Sequence, residues 1–118
     1  MKQITRDSVK AFLAGRTFKR QNMTVLGYDG ATHLQLHGNT IARLKNDTLT
    51  ISDGGGWRTN TTRERLNGLL ELAGYPYRIK QIDFTWYYTM PMFGRPNLLA
   101  KVRWPGILEL NYPVSELL

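Results

Sequence analysis

Apolar and polar positions alternate through residues 22 to 53, and the alternation breaks at Asp29-Gly30, Gly38-Asn39 and Asn46-Asp47. These residue types tolerate the positive φ of tight hairpin turns. The pattern predicts a four-stranded antiparallel meander with strands at about 23 to 28, 31 to 36, 40 to 45 and 48 to 52. Two-residue turns at the first and third breaks pair Val25 with Leu34, Met23 with Leu36, Leu44 with Leu49 and Ala42 with Ile51. A two-residue turn at Gly38-Asn39 would instead set Leu34 opposite Arg43 and divide the apolar set between two faces. A three-residue loop at His37, Gly38 and Asn39, or an equivalent bulge, restores one buried face of Met23, Val25, Leu34, Leu36, Ala42, Leu44, Leu49 and Ile51. The other face then carries Thr24, Leu26, His33, Gln35, Ile41, Arg43 and Thr50 and is solvated.

Helical spacing appears twice. Residues 5 to 15 place Val9, Phe12 and Leu13 on one face, with Thr5 or Asp7 as cap and Gly15 as the left-handed closing residue. In the run after Gly54-Gly55-Gly56, Thr61 and Glu64 have capping-box spacing ahead of Leu66, Leu69, Leu70 and Ala73. That predicts a main helix from about 62 to 73, closed by Gly74 and docked on the meander. Beyond it, residues 77 to 89 read as one strand with Ile82, Phe84, Trp86 and Tyr88 inward. A loop at 90 to 97 joins it to a second strand, in which Leu98, Ala100, Val102 and Trp104 share one face and Leu99, Lys101 and Arg103 the other. Pro105-Gly106 then turns the chain into a final strand bearing Leu108, Leu110 and Tyr112 on one side. The fold class is α+β, a single domain over 1 to 118, with a short N-terminal helix, a main helix on the meander, and a C-terminal hairpin plus final strand extending or flanking the sheet.

The composition narrows the function more than it names it. The chain has 118 residues, 42% hydrophobic, which suits one domain able to bury its own core. With no cysteine, thiol catalysis, thiolate zinc sites and disulfide scaffolds are excluded. No stretch approaches the ~18 apolar residues of a membrane span, so a soluble, cytoplasmic protein without membrane attachment is expected. Sixteen Lys and Arg against nine Asp and Glu give a formal charge of +7. Much of the excess gathers at Arg16, Lys19 and Arg20 around Phe18, and at Arg58, Arg63 and Arg65 beside Trp57. Such clusters focus a field that a phosphate backbone can meet, although the same charge also serves solubility.

Two strings stand out, LHGNTIA at 36 to 42 and DGGGWRTNTTRERLNGLL at 53 to 70. Over about residues 6 to 75 the chain resembles a family of small uncharacterised bacteriophage and prophage proteins with the same order of features. The resemblance implies a viral origin and a host-cell setting, and it carries over no catalytic residue. It also turns attention to host takeover, nucleic-acid handling and anti-defence roles.

Chemistry-bearing patterns are sparse. The three glycines running into Thr59, Asn60, Thr61 and Thr62 set free amides at a helix N-terminus, a place for phosphate, but the spacing matches neither nucleotide-binding loop. No nucleotide or other cofactor is expected. His33 and His37 are four apart, about 13 Å along a strand, too far to share a metal. No paired-carboxylate, nucleophile-elbow or HExxH pattern is present, so a non-catalytic role is expected. On the late hairpin, Thr85, Tyr87, Lys101 and Arg103 form an aromatic and basic strip of the kind that stacks bases and follows a backbone. The loop with Met90, Met92, Phe93 and Arg95 suits a protein contact, either with another protein or in a homodimer. The leading expectation is a nucleic-acid-binding phage protein using Arg16, Lys19, Arg20, Arg58, Arg63 and Arg65 for phosphates and Trp57 or Tyr87 for stacking. The alternative is an inhibitor that binds a host protein or ribonucleoprotein complex, an anti-CRISPR or other anti-defence factor.

Overall fold

The computed structural model describes residues 1–92 and 94–113. In chain order the elements are α1 (Gln3–Leu13), β1 (Phe18–Arg20), β2 (Met23–Tyr28), β3 (Ala31–Leu36), β4 (Asn39–Lys45), β5 (Thr48–Ser52), α2 (Asn60–Leu72), β6 (Arg78–Ile82), β7 (Thr85–Met92), β8 (Arg95–Arg103) and β9 (Ile107–Asn111). The meander forms where alternation and turn chemistry place it, with Val25 opposite Leu34 and Leu44 opposite Leu49. Its middle turn is solved differently from the expected loop. His37 and Gly38, both at positive φ, make a two-residue turn that pairs Leu36 with Asn39. The extra residue is absorbed further along, where the register shifts between Gln35 opposite Thr40 and Leu34 opposite Ala42. This bulge restores the apolar face and also turns Ile41 inward to 1% exposure, although plain alternation puts it on the solvated face. His33 departs as well: its ring lies buried under Tyr28, with centroids 3.7 Å apart and planes 1° from parallel.

Both helices cover the buried face. α1 lies over β1, β2 and β3, while α2 packs on α1, reaches β4 and extends toward β6. The main helix does not cover the meander alone: the short N-terminal helix docks its apolar face there too, and Val9 and Phe12 of α1 share the core with Leu66, Leu69 and Leu70 of α2. The caps also differ. Thr59, not Thr61, caps α2 by accepting from the Thr62 amide at 3.1 Å, so the helix starts earlier. Glu64 is drawn away from the helix terminus because Arg65 is buried and needs a counter-charge; its carboxylate takes the Arg65 Nη1 and the Thr5 hydroxyl, each at 2.5 Å. Thr5 sits inside α1, which starts after Lys2 without a side-chain cap, and Gly15 follows the helix at φ 70°.

The helix pair meets at Gly68, where an added Cβ would overlap Thr5 Cγ2. Thr5 is fully buried and its hydroxyl is held by Glu64, so it cannot yield cheaply. Gly68→Ala is expected to lower stability by about 1–3 kcal/mol despite alanine's better helix propensity. A denaturation midpoint that rises instead would show that the helices separate freely.

Residues 77 to 89 are not one strand. Asp83 and Phe84 both take positive φ and fold the segment into a β6–β7 hairpin with Ile82 opposite Thr85. The inward set is accordingly Ile79 and Trp86 with the half-buried Tyr88, whereas Ile82 is exposed and Phe84 stands 94% exposed at the turn. β7 and β8 form the expected long hairpin, giving a separate three-stranded sheet in the order β6-β7-β8. Trp104 meets Trp86 edge-on at 6.0 Å, and β9 then returns to pair with β5. The main sheet thus has six strands in the order β1-β2-β3-β4-β5-β9.

Candidate functional site

Asp53, at the end of β5, organises the glycine turn. Only 4% exposed, its Oδ1 accepts the Gly55 and Gly56 amides at 3.2 and 2.7 Å, and its Oδ2 accepts Arg58 Nε at 3.0 Å and Trp104 Nε1 at 3.2 Å. Burial pushes this carboxyl upward, but the Gly56 amide, Arg58 and Trp104 outweigh it and hold the group below its ordinary value. The three glycines all take positive φ, and the turn they form closes around an anion. That anion is the protein's own carboxylate. The phosphate role read into the glycine amides is therefore corrected for Gly55 and Gly56, whose N–H groups are already used.

Beyond the turn, Trp57 projects into solvent at 59% exposure rather than packing over the core. It forms one wall of a cleft of about 460 Å³ lined by Leu36, His37 and Ile41 from the β3–β4 hairpin and by Thr59 and Thr62 at the start of α2. The strings at 36 to 42 and 53 to 70 thus converge on one cavity, with an indole, apolar side chains and hydroxyls facing each other.

The basic residues part company. Arg58 is tied to Asp53, and Arg63 donates to Gln81 Oε1 and Asn60 Oδ1, each at 3.0 Å. Arg65 is 3% exposed and bonds Glu64, Thr5 and Asn22, so its expected phosphate contact is corrected to an internal one: its guanidinium joins the two helices to the start of β2. Arg16 and Lys19 are exposed, while Arg20 pairs with Asp7 at 2.5 Å and lies over Phe18. This group sits at the β1 edge of the main sheet, five strand spacings, or about 24 Å, from β9.

A different set comes together on the outer face of the three-stranded sheet. Register places Lys80, Tyr87 and Arg103 in one row across β6, β7 and β8, and Lys101 Nζ lies 4.8 Å from the Tyr87 ring centroid. Lys80, Lys101 and Arg103 are exposed and Tyr87 is half-buried, so the cations stand around a partly open ring. The expected loop at 90 to 97 is corrected, since β7 runs to Met92 and β8 starts at Arg95: Met90 is half-buried against the core, Met92 and Arg95 are exposed at the end of the hairpin, and Phe93 lies outside the described residues. Among the described residues no group of three His, Cys, Asp or Glu could hold a metal ion. Among the described residues, too, no helix is long and apolar enough to cross a membrane.

Residues 1–104 match the family model described as the Kyanoviridae Gp96 protein. The chain belongs to that phage protein family. No curated protein and no solved structure matches it. The Gp96 match runs well past residue 75, where the resemblance carried by the two strings ends, and takes in all of β6, β7 and β8. Both the Trp57 cleft and the Tyr87 row therefore lie within the Gp96 span, while β9 lies beyond it.

Lys80 escapes a reading from sequence because a straight strand puts it on the face opposite Tyr87. One signal was available. Ile79 and Trp86 are separated by an odd number of positions, so an unbroken regular strand puts them on opposite faces, and burying both on one face takes a bulge or a reversal between them.

Proposed function

We propose that this phage protein binds nucleic acid without catalysis, through the outer face of the three-stranded sheet. The observation that carries this reading is the Lys80, Tyr87, Arg103 row with Lys101 beside the ring. A ring flanked by cations on a sheet face lets a base stack while phosphates on either side are neutralised. Arrangements of this kind favour single strands, because the bases of a duplex are stacked on each other and both helices of the described residues are packed on the sheets. Trp57 offers a second stacking surface, with Arg58 beside it.

The test is binding of a single-stranded oligonucleotide and its duplex across a salt series. Changing Lys80, Lys101 and Arg103 to alanine together is expected to weaken single-strand binding more than tenfold and to flatten the dependence of log K on log salt by about 2, at ~0.7 per phosphate contact. Absence of binding at low salt, or an unchanged slope in the triple variant, sinks the proposal.

One observation favours the inhibitor reading. Phe84 at 94%, Leu99 at 56% and Leu98 at 48% leave apolar side chains open on the same hairpins, as surfaces for protein partners do. Retrieval of one discrete host complex that survives nuclease treatment and is lost on Phe84→Asp selects this reading over the first.

A further inference from the structure

The main sheet carries a second polar site on the face turned away from the helices. Register aligns His33, Arg43, Thr50 and Glu109 in a single row across β3, β4, β5 and β9. Two of these side chains lack what burial demands. Both ring nitrogens of His33, which is 6% exposed, and the Oγ1 of Thr50 are sealed from solvent with no hydrogen-bond partner. A buried polar group without a partner is destabilising, so two in one row mark a place where an outside group can supply the missing bonds. Two adjoining cavities, of about 430 and 570 Å³, open on this row, and His33, Arg43 and Tyr28 line both.

The charge around the row is positive on the His33 side. Arg43 and Lys45 are exposed and form no ion pair among the described residues, while Asp29 flanks the same cavity and Glu109 lies at the far end beyond Thr50. The donors on offer are a guanidinium fork, an ammonium, a hydroxyl and an imidazole N–H, which suits a tetrahedral oxyanion. The imidazole lies under Tyr28, 45% exposed, and opposite the exposed Arg43.

We infer that the His33, Arg43 and Thr50 row is a binding site for a phosphate group, with Lys45 adding charge and the Tyr28 ring covering the imidazole. Bound there, the phosphate oxygens accept from Arg43, Thr50 and the imidazole N–H and so partner Thr50 Oγ1 and one of the two ring nitrogens. The site is separate from the Tyr87 row and does not depend on it. Free phosphate and a nucleotide share this chemistry; Tyr28, whose ring is open to solvent on one side, would add stacking for a nucleotide alone.

The experiment follows the His33 ring resonances by NMR during titration with inorganic phosphate and, separately, with a nucleoside monophosphate, each against sodium chloride at equal ionic strength. There are only two histidines, so His37→Gln assigns the signals. Saturable movement of the His33 signals is expected, weakened about tenfold in Arg43→Gln by loss of a charge-assisted bond and reduced in Thr50→Val. Glu109→Gln is expected to tighten binding by removing a repulsive charge. Tighter binding of the monophosphate assigns the site to nucleotides, and equal affinity assigns it to phosphate itself. The Lys80, Lys101, Arg103 triple variant should respond as the unaltered protein does, which separates this site from the proposed nucleic-acid face. His33 signals that move no more with phosphate than with chloride, or as much in Arg43→Gln as in the unaltered protein, overturn the inference.

Discussion

Asp53→Ala is expected to lower folding stability by about 3–5 kcal/mol, more than any surface change in the molecule. The substitution removes the acceptor for four donors at once, the Gly55 and Gly56 amides, Arg58 Nε and Trp104 Nε1. Trp104 is buried, so its indole N–H has no water to turn to. Asp53→Asn retains one accepting oxygen but presents an amide to donors, and should fall between Asp53→Ala and the unaltered protein. The same group sets a pH dependence. Its folded pKa lies below the ordinary 3.8, so its contribution is complete above that value, declines as pH falls past it and is gone below the folded value. Denaturant melts of Asp53→Ala and the unaltered protein, run at neutral and acid pH, check both points. The gap between them should be widest at neutral pH and narrow on acidification; a neutral-pH difference under about 1 kcal/mol would mean that the glycine turn holds without its carboxylate.

Glu64→Ala comes next, at about 3 kcal/mol, because it leaves the buried Arg65 guanidinium without its carboxylate. Glu64 is partly exposed, which lets water relieve some of the loss and keeps the figure at the low end for a buried pair. Arg65→Ala should be similarly damaging, since Glu64, Thr5 and Asn22 all lose a donor. The measurement is a double-mutant cycle: the pair changed together should be milder than the sum of the singles by at least about 1 kcal/mol. Simple additivity would show that the two charges act independently. The result also governs how binding is tested. Alanine at Arg58, Arg63 and Arg65 together would weaken nucleic-acid binding by loosening the fold, so Lys80, Lys101 and Arg103 are the sounder probes.

What was legible in the sequence was whatever local pattern decides. The four meander strands follow from alternation and from turn residues that accept positive φ, and the second helix from a leucine stripe behind a threonine run. Even the extra residue was required by the apolar register, although its position was not, since a two-residue turn at His37-Gly38 with the shift between Leu34 and Gln35 gives the same pairing of Leu34 with Ala42 as a three-residue loop. What escaped depends on contacts between distant positions. Glu64 left its capping-box role for Arg65 and Thr5, the latter 59 positions away. Asp53 binds Trp104 across 51 positions, and no local signal marks that carboxylate as the anchor of the glycine turn. Asp83-Phe84 turns the chain without a glycine, which hid the hairpin and with it the exposed face of Lys80. The basic clusters near Phe18 and Trp57 were visible as composition, but their partners Asp7, Asp53 and Glu64 were not.

The return of β9 to β5 has a bearing on how the chain folds. The first five strands pair with neighbours in sequence, so their closure is fast and carries little loop entropy. The β5–β9 seam joins Thr48 to Asn111, with α2 and the whole three-stranded sheet in between. A nascent chain can therefore zip the meander under its helices well before residues 107–111 emerge, leaving the β5 edge open during synthesis. During that interval β5 is an edge open to strand addition by another chain, and once β9 is laid down the edge passes to β9.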